Sequence, residues 1–374
     1  MKNTTQATSM YIEEPIRIGF ATAPEERREV YQFRYSIYAE EIAYDLTNAD
    51  HQNKLLYDEL DEWAILLTAH IGSTLIGTAR INIGKISDFP SDLVHAYRMD
   101  KFKKFYNEND ATPLFAIFSR GMISPQYRSS ATMYLLGVKL YELCCDRHIQ
   151  FAFLNCTFHL IPFYENTGHI RIDKNTVDPN DKSPLASFVL LMDNVDHLRA
   201  VQSPLFRIAR KKSSLHKEVV DWFYSEFAHE INTTINSRFI TAEDLWTIIY
   251  QYLGKAPNQS IPILKDLSIL EAKIFIHSCS SIVHCQIRDH IVSLGNTSQE
   301  HIILLSGKAY SSKLGIIYPG QCCGENGLAC STTHTSSAIA LDDLNILVFS
   351  FYNFGSFQKR HPNIAHKVIR NIQK

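Results

Sequence analysis

Residues 113–148 read PLFAIFSRGMISPQYRSSATMYLLGVKLYELCCDRH, and this stretch decides the fold class. Leu114, Ala116 and Phe118 alternate with Phe115 and Ile117, so Pro113–Ile123 reads as a strand. Leu135, Leu136, Val138, Leu140 and Leu143 then recur at helical steps, which predicts a helix over Ala131–His148 with these residues on its buried side. A strand–loop–helix step has a chemical use. The first turn of a helix carries unpaired N–H groups and the positive end of the dipole, a cradle for phosphate or pyrophosphate. Ser129, Ser130 and Ala131 are small enough for close approach, and Arg128 adds charge.

The flanking sequence supplies the partners this step needs. Upstream, Val30, Phe33, Ile37, Tyr38 and Ile42 predict an amphipathic helix within 25–48. Pro24 with Glu25 and Glu26 suits its start. Trp63–His70 and Thr74–Ile83 flank Ile71-Gly72-Ser73, the pattern of a hairpin. Downstream come a strand at Phe151–Thr157, a short helix and turn at Pro162–Gly168, and a strand at Phe188–Met192. Such alternation predicts a mixed α/β layer structure.

From about residue 201 the pattern changes. Val219, Trp222, Phe223, Phe227 and Ile231 keep helical spacing, and no glycine occurs between Gly168 and Gly254, so this part reads as a helical connector. Lys255–Pro262, KAPNQSIP, is a breaker-rich boundary. Beyond it lie a short helix at Leu264–Ser278 and seven short β-runs between Ile282 and Ser350, punctuated by glycines. A last helix is expected at Ile364–Ile372. Short strands at this spacing predict a small all-β jelly-roll. The division expected is 15–200, 201–261 and 262–374.

Bulk properties narrow the function classes. At 374 residues, 45% of them apolar, the chain can bury a core in each of two modules. A net charge of −2 gives no global field toward nucleic acid. The adjacent pairs Cys144-Cys145 and Cys322-Cys323 do not have metal-ligand spacing, so no metal is expected. The N-terminal residues do not form a secretory signal, and no run approaches the ~20 apolar residues of a membrane span. The expected compartment is the cytoplasm.

Certain short stretches carry a resemblance. Pro162-Phe163-Tyr164-Glu165-Asn166-Thr167-Gly168-His169 resembles the stretch that closes the acyl-donor site in N-acyltransferases of the GNAT fold. In that family a tyrosine often protonates the departing thiolate, which marks Tyr164. The ordered set Arg34, Asp58-Glu-Leu-Asp61, Gly77-Thr-Ala-Arg80 and Ser119-Arg120 resembles the acyl-homoserine-lactone synthases and the related N-acyl amino acid synthases. Those enzymes move an acyl group from acyl carrier protein or coenzyme A to a small amine. The resemblance implies amine binding and ion-pair scaffolding by Arg34, Asp58, Asp61 and Arg80, and catalysis at Arg120, Ser119 and Tyr164. It implies donor binding by Arg128, Ser129, Ser130 and Ala131. Two departures stand out. The donor loop lacks the family's glycines, and Ile117 stands where homoserine-lactone synthases have a glutamate. The second favours the N-acyl amino acid type. An acetyl-coenzyme A-dependent N-acetyltransferase and a non-catalytic regulatory protein are the rival readings.

The C-terminal part resembles cyclic-nucleotide-binding domains, through Gly307, Pro319-Gly320 and Gly324-Glu325. The resemblance implies a pocket of Gly324, Glu325, His334 and Thr335. His334 stands where the family has its phosphate-binding arginine, which removes a charge-assisted bidentate partner. A roll used for regulation or docking is therefore expected rather than one that holds a nucleotide. No DNA-reading helix-turn-helix follows it, so no nucleic-acid partner is expected.

Overall fold

The computed structural model describes residues 14–42, 46, 49–106, 113–128, 130–178, 182–212, 216–232 and 234–373. The N-terminal module is built on strands β1 (Arg17–Ala21), β2 (Ile65–Ile71), β3 (Thr74–Gly84), β4 (Phe115–Ile123), β5 (Phe151–Cys156), β6 (Ile170–Val177) and β7 (Pro184–Leu191). They form one sheet in the order β1-β2-β3-β4-β5-β7-β6. Every neighbouring pair is antiparallel except β4 and β5.

Alternation across β4 and β5 sends side chains to two separate cores. Ala116, Ala152 and Leu154 meet Leu136, Leu140 and Cys144 of the Thr132–Asp146 helix on one face. Phe115, Ile117, Phe151 and Phe153 meet Phe102, Phe223 and Phe227 on the other. The predicted strand–loop–helix step therefore lies at the centre of the module. Leu135 departs from expectation, since it faces solvent rather than the core.

The parallel pair is short. Its register pairs are Ala116↔Ala152 and Ile117↔Phe153, and beyond them the strands part. A cavity of about 1600 Å³ opens beside this splay, lined by both strands and by the Thr132–Asp146 helix. The Ile161–Thr167 helix borders it and ends at Gly168, whose φ of +100° requires glycine. A Cβ there would also collide with the Leu198 side chain.

The connector is helical at Phe206–Ala209, Lys217–Glu226 and Ala242–Leu253. It also contains an unforeseen strand, Thr234–Ile235, which pairs with Ser280–Cys285. The C-terminal module is antiparallel throughout. One sheet orders Glu300–Ser306, Leu344–Ser350, Ser280–Cys285 and Thr234–Ile235, a second orders His290–Val292, Ala338–Ala340, Ala309–Ser311 and Gly315–Ile317, and Thr297–Ser298 pairs with Thr332–Thr333. Helices Ile269–Cys279, Phe351–Arg360 and Pro362–Ile372 cover one side, where Phe275 stacks on Phe349.

The modules are joined by polar contacts that are partly or fully buried. Arg171 Nη1 of β6 donates to the His284 carbonyl at 2.9 Å, and the Asn175 N–H donates to Asp289 Oδ1 at 3.1 Å. Ser183 and Asn296 meet at 3.2 Å. Apolar residues of both modules form one continuous core.

Candidate active site

The site grows from an irregularity in β4. Between Thr78↔Met122 and Arg80↔Ser119 the register shifts, so Ala79 faces both Arg120 and Gly121. This is a β-bulge, a device that re-aims a side chain. Arg120 occupies it with φ +53°, in the left-handed region that disfavours a Cβ by roughly 1–2 kcal/mol. The side chain so directed reaches Asp58, with Nη2 at 3.0 Å from Oδ2.

Asp58 and Asp61 are held by a short turn, Glu59–Trp63. Asp58 Oδ1 accepts the Leu60 N–H at 3.1 Å, and Asp61 Oδ2 accepts the Asp58 N–H at 3.0 Å. Asn82 fixes the turn by donating to the Leu60 carbonyl at 2.8 Å. Arg80, on β3, then ties the pieces together. Its Nη1 pairs with Asp58 and lies 3.0 Å from Asp61 Oδ2, while Nε donates to Ser119 Oγ at 2.9 Å. Arg34 donates to Asp61 Oδ1 at 2.8 Å, with both side chains almost fully buried.

Six residues expected from the sequence, Arg34, Asp58, Asp61, Arg80, Ser119 and Arg120, therefore form one network. Three guanidinium groups face two carboxylates, an excess of one positive charge. Burial pushes the Asp58 carboxyl up, but Arg80 and Arg120 overcome it and hold the group at about 2. Burial pulls the Arg34 guanidinium below its ordinary value, and Asp61 partly offsets this. Arg120 is opposed by burial but raised by Tyr38 and Asp58, and its guanidinium lies 5.4 Å from the Tyr38 ring centre. Asp58, Arg80, Ser119 and Arg120 all line the cavity, whereas Arg34 and Asp61 stand behind them.

Tyr164 lines the same cavity, and burial raises its phenol, which keeps it protonated at neutral pH. Beside it, Thr167 Oγ1 donates to the Tyr164 carbonyl at 2.7 Å and lies 2.9 Å from His169 Nδ1. Burial lowers His169 to about 3, so its imidazole is neutral.

The donor loop is arranged differently from expectation. Arg128 is engaged by Glu41, with Nη1 and Nη2 at 2.5 and 2.6 Å from its two carboxylate oxygens. Its guanidinium also lies 5.0 Å from the ring centre of Tyr352, in the C-terminal module. Ser130 Oγ lies 2.6 Å from the Tyr127 carbonyl and Ala131 occupies the helix N-cap, while Ser129 lies outside the described residues. Sequence reasoning missed Tyr352, Glu41 and His169. Tyr352 and Arg128 stand more than two hundred residues apart, and nothing local pairs them.

In the C-terminal module the four expected pocket residues do come together, but they fill their own space. His334 Nδ1 accepts the Glu325 N–H at 3.2 Å and lies 3.2 Å from Glu325 Oε2, while Thr335 donates to Oε1. A Cβ on Gly324 would lie 2.9 Å from His334 Nδ1.

Residues 33–138 match the acetyltransferase (GNAT) domain family. Among solved structures the chain is similar to FeeM, an N-acyl amino acid synthase from uncultured soil microbes. The identity is 16% and the TM-score 0.39, over 52% of this chain and 98% of that one. It is similar to BjaI, a CoA-dependent acyl-homoserine lactone synthase, at 16% identity and a TM-score of 0.37, over 50% of this chain and 90% of that one. It is also similar to the catabolite activator protein of Thermus thermophilus, at 20% identity and a TM-score of 0.26, over 29% of this chain and 55% of that one. No curated protein matches the sequence. The domain match lies within the mixed, GNAT-like sheet of the N-terminal module.

Proposed function

We propose that this chain transfers a long-chain acyl group from a carrier-protein or coenzyme A thioester to the amine of an amino acid. The observation that carries the reading is the cavity of about 1600 Å³ beside β4 and β5, bordered by the Arg80–Asp58–Arg120 cluster. It exceeds the roughly 300–1,000 Å³ of an ordinary small-molecule site. Phe118, Leu136, Leu140, Leu154, Leu190 and Leu205 give it an apolar wall suited to a fatty chain. A site for acetyl transfer needs no such volume.

In this reading the acceptor's carboxylate lies against Arg120, where the network has its excess positive charge. Asp58, held at about 2, is too weak a base to take the amine proton and serves to position Arg80 and Arg120. The neutral amine attacks the thioester carbonyl, so a C–N bond forms and the C–S bond breaks. In this reading, backbone N–H groups of β4 beyond Ile117, past its last register pair with β5, receive the oxyanion. The Tyr164 phenol gives its proton to the leaving thiolate and regains one from the nitrogen. Orienting donor and acceptor in one cavity supplies much of the rate.

The β-roll is proposed to regulate or dock without a nucleotide, because the Glu325 N–H is already bonded to His334 and its carboxylate to Thr335. The 15–200, 201–261 and 262–374 division and a cytoplasmic site of action belong to the same proposal. No described helix is long and apolar enough to cross a membrane.

Purified protein supplied with acetyl and long-chain thioesters and a panel of amino acids tests the reading through release of free thiol. Turnover of long-chain donors with an amino acid supports it. Turnover of acetyl donors alone would replace it with N-acetylation.

A further inference from the structure

The cavity has a second wall that the GNAT-matched segment does not supply. Tyr352, Asn353, Ser356 and Arg360 line it from the Phe351–Arg360 helix, and their spacing puts them on one face. Phe354 and Phe357, on the opposite face, are buried in the C-terminal core. Ser237 and Arg238 line the cavity from the connector. Their turn is anchored by Asn236, which accepts the Arg238 N–H at 3.1 Å and donates to Glu165 Oε2 at 3.1 Å, next to Tyr164.

Charge is distributed unevenly around this cavity. Its acidic lining residues, Asp58, Glu59, Asp92 and Asp178, all come from the N-terminal module. Among the described residues, the connector and C-terminal module contribute Arg238 and Arg360 and no carboxylate. Arg360 Nε makes a 3.4 Å contact with the Ser356 carbonyl of its own helix. Neither guanidinium has an acidic partner among the described residues. Both side chains are exposed at the rim, accessible to an incoming ligand.

The lining therefore combines an apolar wall, hydroxyl and amide groups of the Phe351–Arg360 helix, and two cations with no acidic partner among the described residues. We propose that this second wall binds the phosphopantetheine arm of the acyl donor, with its phosphate between Arg238 and Arg360. The inference rests on the acyl-transfer reading and deepens it. Asn353 and Ser356 offer hydrogen bonds to the amides of the arm, and the fatty chain lies against the apolar wall. The C-terminal module then completes the donor site. The same arm occurs on coenzyme A and on acyl carrier protein.

The test compares three donors bearing one acyl chain: an acyl-coenzyme A, an acyl carrier protein, and an S-acyl pantetheine without the phosphate. Each is assayed with wild type, Arg238→Gln, Arg360→Gln and the double variant. The double variant is expected to raise KM about tenfold for a phosphate-bearing donor, with kcat and the S-acyl pantetheine kinetics unchanged. Whichever phosphate-bearing donor shows the effect identifies the source of the arm. An equal effect on all three donors, or none, would overturn the inference while wild-type turnover of S-acyl pantetheine leaves the acyl-transfer reading standing. Wild-type protein that turns over none of the three would overturn both.

Discussion

Arg120 Nη2 meets Asp58 Oδ2 at 3.0 Å from a backbone φ of +53°, a conformation better suited to glycine. Strain and charge are thus stored at one position on the splayed strand. The two contributions separate by substitution. Arg120→Gly is expected to be about 1 kcal/mol more stable than Arg120→Ala, because only glycine relieves the backbone. Both variants should lose about a hundredfold or more in kcat/KM. Denaturant unfolding read beside turnover checks both statements.

Asp58 gives a pH signature. Its folded value of about 2 lies below the ordinary 3.8, so the stability it contributes is fully present above 3.8 and lost as pH falls through about 2. The contribution is about 2 kcal/mol. Asp58→Asn should flatten the dependence of unfolding free energy on pH across that window, measured by urea titration at a series of pH values.

The buried pair behind the site should respond unequally to loss of either partner. Asp61→Ala leaves Arg34 buried without its carboxylate and should cost about 3–5 kcal/mol. Arg34→Met should cost less, because Arg80 still pairs with Asp61 and because Nε and Nη2 of Arg34 already lack partners. Equal losses in thermal denaturation would contradict this description of the network.

Tyr164→Phe removes the proposed acid and little else. The variant should lose about a hundredfold in kcat with an alkyl thioester. With an aryl thioester, whose thiolate leaves without a proton, most of that loss should disappear. A loss independent of the leaving group would assign Tyr164 to packing.

Cyclic nucleotides at about 1 mM should leave the melting temperature unchanged, since a ligand stabilises only what it binds. The reason is that the Glu325 N–H is already bonded to His334 and its carboxylate to Thr335. A clear upward shift would show that these loops open.

Much of this fold was legible because its signals are local. Alternation through Ala116, Ile117 and Phe118 marked β4, and Ile71-Gly72-Ser73 marked the β2–β3 turn, where Gly72 has φ +58°. The missed elements carry signals that conflict with their structure. In β6, Asp173 has φ +57° and the register shifts between Ile172 and Thr176, which erases the period of two. The Phe351–Arg360 helix contains Gly355 and a run of aromatics that favour strand. Ser350 caps it by accepting the Asn353 N–H, and burial of Phe354 and Phe357 outweighs the local preference. The charged network was legible as a set of residues. Its geometry was not, because the Arg120 bulge depends on β3 pairing.

Mass spectrometry of lipid extracts from cells expressing wild type or Arg120→Ala tests the central claim most directly. The expected result is a set of N-acyl amino acids present with wild type and absent with the variant, both proteins being expressed and folded. Extracts that do not differ, from cells containing folded wild-type protein, would contradict it.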